Sequence, residues 1–149
     1  MFEQDFIEFI ELLNAYNVEY MVIGAHALAF HGRPRHTGDL DIWINPSIEN
    51  AERMLKVIDE FGFASLGLKK EDFQNDNYVT QLGYPPLRID ILNAISGVEF
   101  GEAYSNRINT EVDGLQINFI NIDDFIANKK ASGRKKDLGD IASLKRKKS

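Results

Sequence analysis

Three aspartates in this 149-residue chain stand where apolar side chains are the rule. Asp39 and Asp41 interrupt the run Asp39-Leu-Asp-Ile-Trp-Ile44, and Asp90 interrupts Leu87-Arg-Ile-Asp-Ile-Leu92. Read as strands, these runs place Asp39 and Asp41 on one face with Trp43, opposite Leu40, Ile42 and Ile44. Like charges at that spacing repel, and burying them is costly unless a positive group lies between them. Three carboxylates on neighbouring strands can hold two divalent ions, one activating an attacking hydroxyl and one neutralising a leaving pyrophosphate. That chemistry is phosphoryl or nucleotidyl transfer.

Other elements must position these acids. Tyr20-Met-Val-Ile-Gly24 reads as a short buried strand ending in a glycine turn, and Ala25 to Phe30 as a compact helix closed by Gly32. A strand–glycine–helix junction points backbone N–H groups outward and makes an anion site. Arg33-Pro-Arg-His-Thr-Gly38 then forms a basic loop. Residues 3–16 carry Phe6, Ile7, Ile10 and Leu13 at helical spacing, and Ser47 caps a second amphipathic helix with Met54, Leu55, Ile58 and Phe61 inward and Gly62 at its end. Residues 63–68 and 78–82 read as strands, and Tyr84-Pro-Pro86 as a break. Arg107–Val112 and Leu115–Ile120 flank Asp113-Gly114, a hairpin signal. Asn121 caps a helix with Asp123 and Asp124 in its first turn, and a last helix carries Leu138, Ile141 and Leu144.

The pattern predicts an α/β (α+β) domain spanning residues 1–149, a mixed, mostly antiparallel sheet of about five strands with helices mainly on one face. The absence of cysteine excludes disulfides, thiolate metal sites and Cys nucleophiles. With no signal-peptide pattern and no apolar run of bilayer length, the expectation is a cytoplasmic protein that does not engage a membrane. The net charge of −6 is uneven: residues 1–128 hold 8 Lys and Arg against 21 Asp and Glu, and residues 129–149 hold 9 against 2. A polyanion is therefore expected at the C-terminal end and at the Arg33/Arg35 loop.

Taken together, the motifs resemble the nucleotidyltransferases of the DNA polymerase beta-like superfamily, and among them the small bacterial proteins around the AbiEii and MenT toxins. The matching residues are Gly24, His26, Ala27, Gly32, Arg35, Thr37, Asp39 and Asp41, then Arg88 and Asp90, then Asn128, Lys129, Gly133, Arg134, Lys136 and Asp137. The resemblance implies a minimal nucleotidyltransferase fold in which Asp39, Asp41 and Asp90 ligate two Mg²⁺ ions. It further implies that Asp90 polarises the acceptor hydroxyl and that Gly24 and the Ala25 amide contact the β- and γ-phosphates of an NTP. Arg35, Thr37, Lys129 and Arg134 become candidate partners of the triphosphate. Ala25 departs from the usual Gly or Ser: it keeps the backbone donor, adds a methyl and lacks a hydroxyl.

The resemblance implies transfer of an NMP from an NTP to a hydroxyl acceptor, an RNA 3′ end such as that of tRNA or a protein side chain, in a toxin–antitoxin setting with an antitoxin partner. Alternatives are a small-molecule (antibiotic) nucleotidyltransferase and a non-catalytic nucleotide-, RNA- or partner-binding module. Plainer roles compete residue by residue. Asp90 could pair with Arg88 or Lys129, and Arg33 and Arg35 could be solvated loop residues. His26, His31 and His36 are spaced wrongly for one helix face and give no zinc site. Trp43 and Tyr84 read as core or sheet-face aromatics, and Asp137 and Asp140 as helix-surface charges.

Overall fold

The computed structural model describes residues 2–32, 38–75, 78–84, 87–134, 138–139 and 141–142. The expectations for Arg33, Arg35, His36, Thr37, Lys136, Asp137, Asp140, Leu144 and the Lys145–Lys148 stretch lie outside the described residues.

Local chemistry sets the element ends. Helix α1 (Gln4–Ala15) buries Phe6, Phe9, Ile10 and Leu13. Strand β1 (Tyr20–Ile23) is buried throughout and runs directly into α2 (Gly24–Phe30). After β2 (Asp39–Ile44), the Ser47 hydroxyl accepts the Asn50 N–H at the start of α3 (Ile48–Phe61), and Gly62, at φ 102°, ends that helix in a left-handed turn. Buried Asn50 ties α3 to the start of β1: its side-chain oxygen accepts the Glu19 N–H at 2.8 Å, and its amide nitrogen donates to the carbonyls of Glu19 and Asn45. Residues 63–68, expected as a strand, instead hold a 3₁₀ turn at Ala64–Leu66. Gly62 and Gly67 both have positive φ, and the two reversals leave no room for an extended run. A second 3₁₀ turn, Lys70–Phe73, buries Phe73.

Strands β3 (Val79–Tyr84) and β4 (Leu87–Leu92) follow, then the short helix α4 (Phe100–Ser105), which has no counterpart in the sequence reading. Strands β5 (Ile108–Val112) and β6 (Leu115–Phe119) form the Asp113-Gly114 hairpin with both turn residues at positive φ, and α5 (Ile122–Ser132) starts on the Asn121 cap. Beyond α5, residues 138–139 and 141–142 are helical, with Ile141 buried and Leu138 half exposed.

The sheet has six strands in the order β3-β4-β2-β1-β6-β5. The pairs β3·β4, β1·β2 and β5·β6 are antiparallel, and β2·β4 and β1·β6 are parallel. Helices α1 and α3 pack on each other beside the sheet, and Tyr20 of β1 reaches Asn14 of α1 with its hydroxyl. On the face that carries Asp39 and Asp41, buried Trp43 meets Phe100 of α4 edge to face at 5.1 Å. Tyr84, expected as a sheet-face or core aromatic, is instead 86% exposed at the end of the edge strand β3. Among the described residues no helix is long and apolar enough to cross a membrane.

Candidate active site

Strands β2 and β4 run parallel with Asp39 opposite Arg88, Asp41 opposite Asp90 and Trp43 opposite Leu92. Since alternate residues share a face, these six side chains form one panel, while Leu40, Ile42, Ile44, Ile89 and Ile91 point into the core behind it. Neighbouring strands extend the panel. Gly83, Gln81 and Val79 of β3 lie opposite Arg88, Asp90 and Leu92, and Ile23 of β1 lies opposite Asp41.

Charge is unevenly compensated on this panel. The Arg88 Nε donates to Asp90 Oδ1 at 2.8 Å, and its Nη2 donates to Asp90 Oδ2 at 3.0 Å and reaches Asp39 Oδ2 at 3.4 Å. Arg88 therefore grips Asp90 with a bidentate fork and leans on Asp39. The pairing of Asp90 with Arg88, foreseen as the plain alternative for Asp90, is present. Among the described residues Asp41 has no such fork. Burial first, then the charges of Asp90 and Asp39, push its carboxyl up to about 6, against the pull of Lys129 and Arg88.

Gly24 is shaped to Asp41. Its φ of +69° suits glycine, and a Cβ there would fall 2.2 Å from Asp41 Oδ2. The β1–α2 turn thus passes directly over the Asp41 carboxylate.

These groups open into a cleft of about 530 Å³. Gly24, Asp41 and Asp90 line it on the sheet side, and Asn128, Lys129, Ser132 and Arg134 line it from α5 and the turn after it. The two sides are pinned together. The Asn128 side-chain amide donates to the Ser96 carbonyl at 3.0 Å. Gly97, at φ +75°, presses so closely on α5 that a Cβ would stand 2.5 Å from the Ala131 Cβ. Lys129 sits in the last turn of α5, where the helix dipole favours a cation, and Gly133 ends the helix at φ 67° so that Arg134 follows on the cleft side.

The expected site residues therefore divide. Gly24, Asp41, Asp90, Lys129 and Arg134 meet in one cleft. Asp39 stands one row along the panel, joined to Asp90 through Arg88. Ala25 is not among the residues lining the cleft, and Arg35 and Thr37 fall outside the described residues. His26 stacks on Phe2 at 5.0 Å, and His31 pairs through Nε2 with the Ile120 carbonyl at 2.7 Å, both packing roles. The sequence reading missed Val79, Ala94, Ile95, Ser96 and Ser132. The Ser96-Gly97 step between Ile95 and Val98 is a turn signal that marks this wall.

A divalent ion would find hard oxygen donors here, and Asp41, raised by burial and then by its neighbours' charge and left without a fork from Arg88, is the group with most to gain. Asp41 and Asp90, opposite each other in register, are the pair that would hold it, with Asp39 in reach of the same panel. Among the described residues no three His, Asp or Glu side chains already form a ligand cluster, and Arg88 spans two of the three acids.

An open mixed sheet carrying acids on two adjacent central strands, faced by a cationic helix end, has the architecture of a minimal nucleotidyltransferase. The family model for nucleotidyl transferases of unknown function, DUF2204, matches residues 2–149, and the chain belongs to that family. A candidate nucleotidyltransferase from Thermotoga maritima, solved by crystallography, shares the fold at a TM-score of 0.63 and 16% identity, over 98% of this chain and 94% of that one. No curated protein matches the chain.

Proposed function

We propose that the protein transfers an NMP from an NTP to a hydroxyl acceptor, with Asp39, Asp41 and Asp90 as the metal-binding acids. The observation that carries this reading is the register of Asp41 with Asp90 beside Gly24, across a cleft from Lys129 and Arg134. Acids on one side and cations on the other match a metal-bound triphosphate whose charge must be shared between them. When bound, Mg²⁺ supplies charge neutralisation and lowers the pKa of a coordinated hydroxyl. Asp90 accepts the acceptor's proton or orients its hydroxyl, and Asp41 and Asp39 hold the charge that the metal requires. Lys129 and Arg134 bind the phosphate chain and take up the charge that develops on leaving pyrophosphate, with Arg35 and Thr37 as further partners. Gly24 lets the β1–α2 turn lie against the Asp41 carboxylate, and the Ala25 N–H is a backbone donor in the same turn. The acceptor class is an RNA 3′ end or a protein side chain, and an antitoxin-like partner fits the resemblance to toxin nucleotidyltransferases.

One observation favours a second reading, a nucleotide- or RNA-binding module without catalysis: Arg88 already neutralises Asp90 and part of Asp39. Label transfer separates the two. Purified protein is incubated with each α-labelled NTP, Mg²⁺, total bacterial RNA and soluble lysate, beside Asp39→Ala and Asp41→Asn. Label on RNA or on one protein band, lost on chelation and in both variants, is the outcome expected for the enzyme. RNA binding that persists with chelator, with no transfer from any NTP, is the outcome of the binding module.

A further inference from the structure

The cleft has a third surface that the phosphate chemistry does not use. Past Asp90 on β4, Leu92, Ala94 and Ile95 continue as an aliphatic strip, and Val79 of β3, opposite Leu92 in register and 46% exposed, forms its lip. A valine that exposed beside partly buried Leu92 and Ile95 leaves an apolar patch open to the cleft rather than to bulk solvent alone. Ile95 and Val98 pair across the Ser96-Gly97 turn, and that turn is wedged against Ala127 and Ala131 of α5, so the strip is a fixed wall.

Charge runs along the cleft in one direction. Along β4, Asp90 beside Asp41 gives way to Leu92, Ala94 and Ile95, while Lys129 and Arg134 line the cleft from α5 and the turn after it. A nucleoside triphosphate has the same polarity, with a charged chain at one end and a flat base at the other. Resting on the nucleotidyl-transfer reading above, we infer that the nucleobase of the bound NTP packs on Leu92, Ala94 and Ile95 under the Val79 lip.

The aliphatic side chains of the strip set what this seat can distinguish. The Asn128 amide nitrogen is given to the Ser96 carbonyl, and the Ser132 hydroxyl donates to the Lys129 carbonyl at 2.9 Å. The described side chains of the strip itself are aliphatic and offer no donor or acceptor to a base edge. Recognition there follows the apolar area covered, which is larger for a purine than for a pyrimidine, and does not read the exocyclic groups that separate adenine from guanine. The seat takes purine nucleotides over pyrimidine nucleotides and treats ATP and GTP alike.

Calorimetric titration in Mg²⁺ of ATP, GTP, CTP, UTP and inorganic tripolyphosphate, against wild type, Ile95→Gln and Val79→Ser, tests this. Val79 is exposed, so its variant should fold even if Ile95→Gln does not. The expected result is a purine preference of a few-fold with ATP and GTP within about twofold, and a loss of about five- to tenfold for purine nucleotides in Ile95→Gln and a smaller loss in Val79→Ser, with tripolyphosphate unchanged in both. Purine affinity unchanged in the folded variants, equal losses for tripolyphosphate, or tenfold selection of one base over all others would overturn the seat while leaving the phosphate site standing. Wild type that binds neither tripolyphosphate nor any NTP would overturn the transfer reading and the seat together.

Discussion

Strands β2 and β4 have two faces that obey opposite rules. Behind the sheet, Leu40, Ile42, Ile44, Ile89 and Ile91 are all 3% exposed or less and belong to the apolar core. In front, on the same strands, Arg88 grips Asp90 and leans on Asp39, while burial and the neighbouring carboxylates push the Asp41 carboxyl up to about 6. The rear face is selected for stability, since each buried aliphatic contributes transfer and packing energy. The front face forgoes stability, as expected where like charges are kept together for a ligand that arrives later. On the proposed reading, the rear half of each strand holds the fold and the front half carries the chemistry.

The two faces should fail differently. Ile42→Ala opens a cavity in the rear face and should cost about 2 to 5 kcal/mol in urea denaturation, with activity per folded molecule retained. A loss of activity matching an Asp41 variant, with stability intact, would erase the distinction. Gly24→Ala should cost less, about 1 to 3 kcal/mol, from the +69° backbone and the 2.2 Å approach to Asp41 Oδ2. Because the displaced atom belongs to Asp41, its activity loss should exceed what the fraction unfolded explains, and activity that tracks only the folded fraction would detach Gly24 from the site.

Much of this division is legible in the sequence because it is local. Strand alternation assigns Asp39, Asp41 and Asp90 to faces, Ser47 and Asn121 announce helix starts with their own side chains, and Asp113-Gly114 fixes a hairpin within a dozen residues. What escapes is non-local or brief. The pairing of Asp41 with Asp90 joins residues far apart in sequence through a parallel crossover, and no local pattern carries that register. The sequence offers Arg88 as a partner for Asp90, but its reach across to Asp39 on the neighbouring strand has no local signal. Helix α4, only Phe100–Ser105, is too short to show a period, and the glycines at 62 and 67 turn an apolar stretch from strand into 3₁₀. The aliphatic strip of the cleft depends on a turn seated against α5, a contact set by Gly97 and Ala131.

Asp41→Asn, which keeps the shape of the side chain and removes its charge, gives the most direct measurement. An Asp41 carboxyl pushed up to about 6 from the ordinary aspartate value of 3.8 means that the folded protein holds a proton the unfolded chain has released between those pH values. Stability therefore falls as pH rises through that window, and the deficit is complete above it. In chelator at pH 7, Asp41→Asn should be more stable than wild type by about 1 to 2 kcal/mol, with the gain fading as pH falls toward 4. The same preparation, given Mg²⁺ and NTP, should lose transfer activity by at least about a hundredfold. A variant that is less stable than wild type at pH 7, or one that transfers as well, would contradict the claim that the front face gives up stability to hold a metal-bound nucleotide.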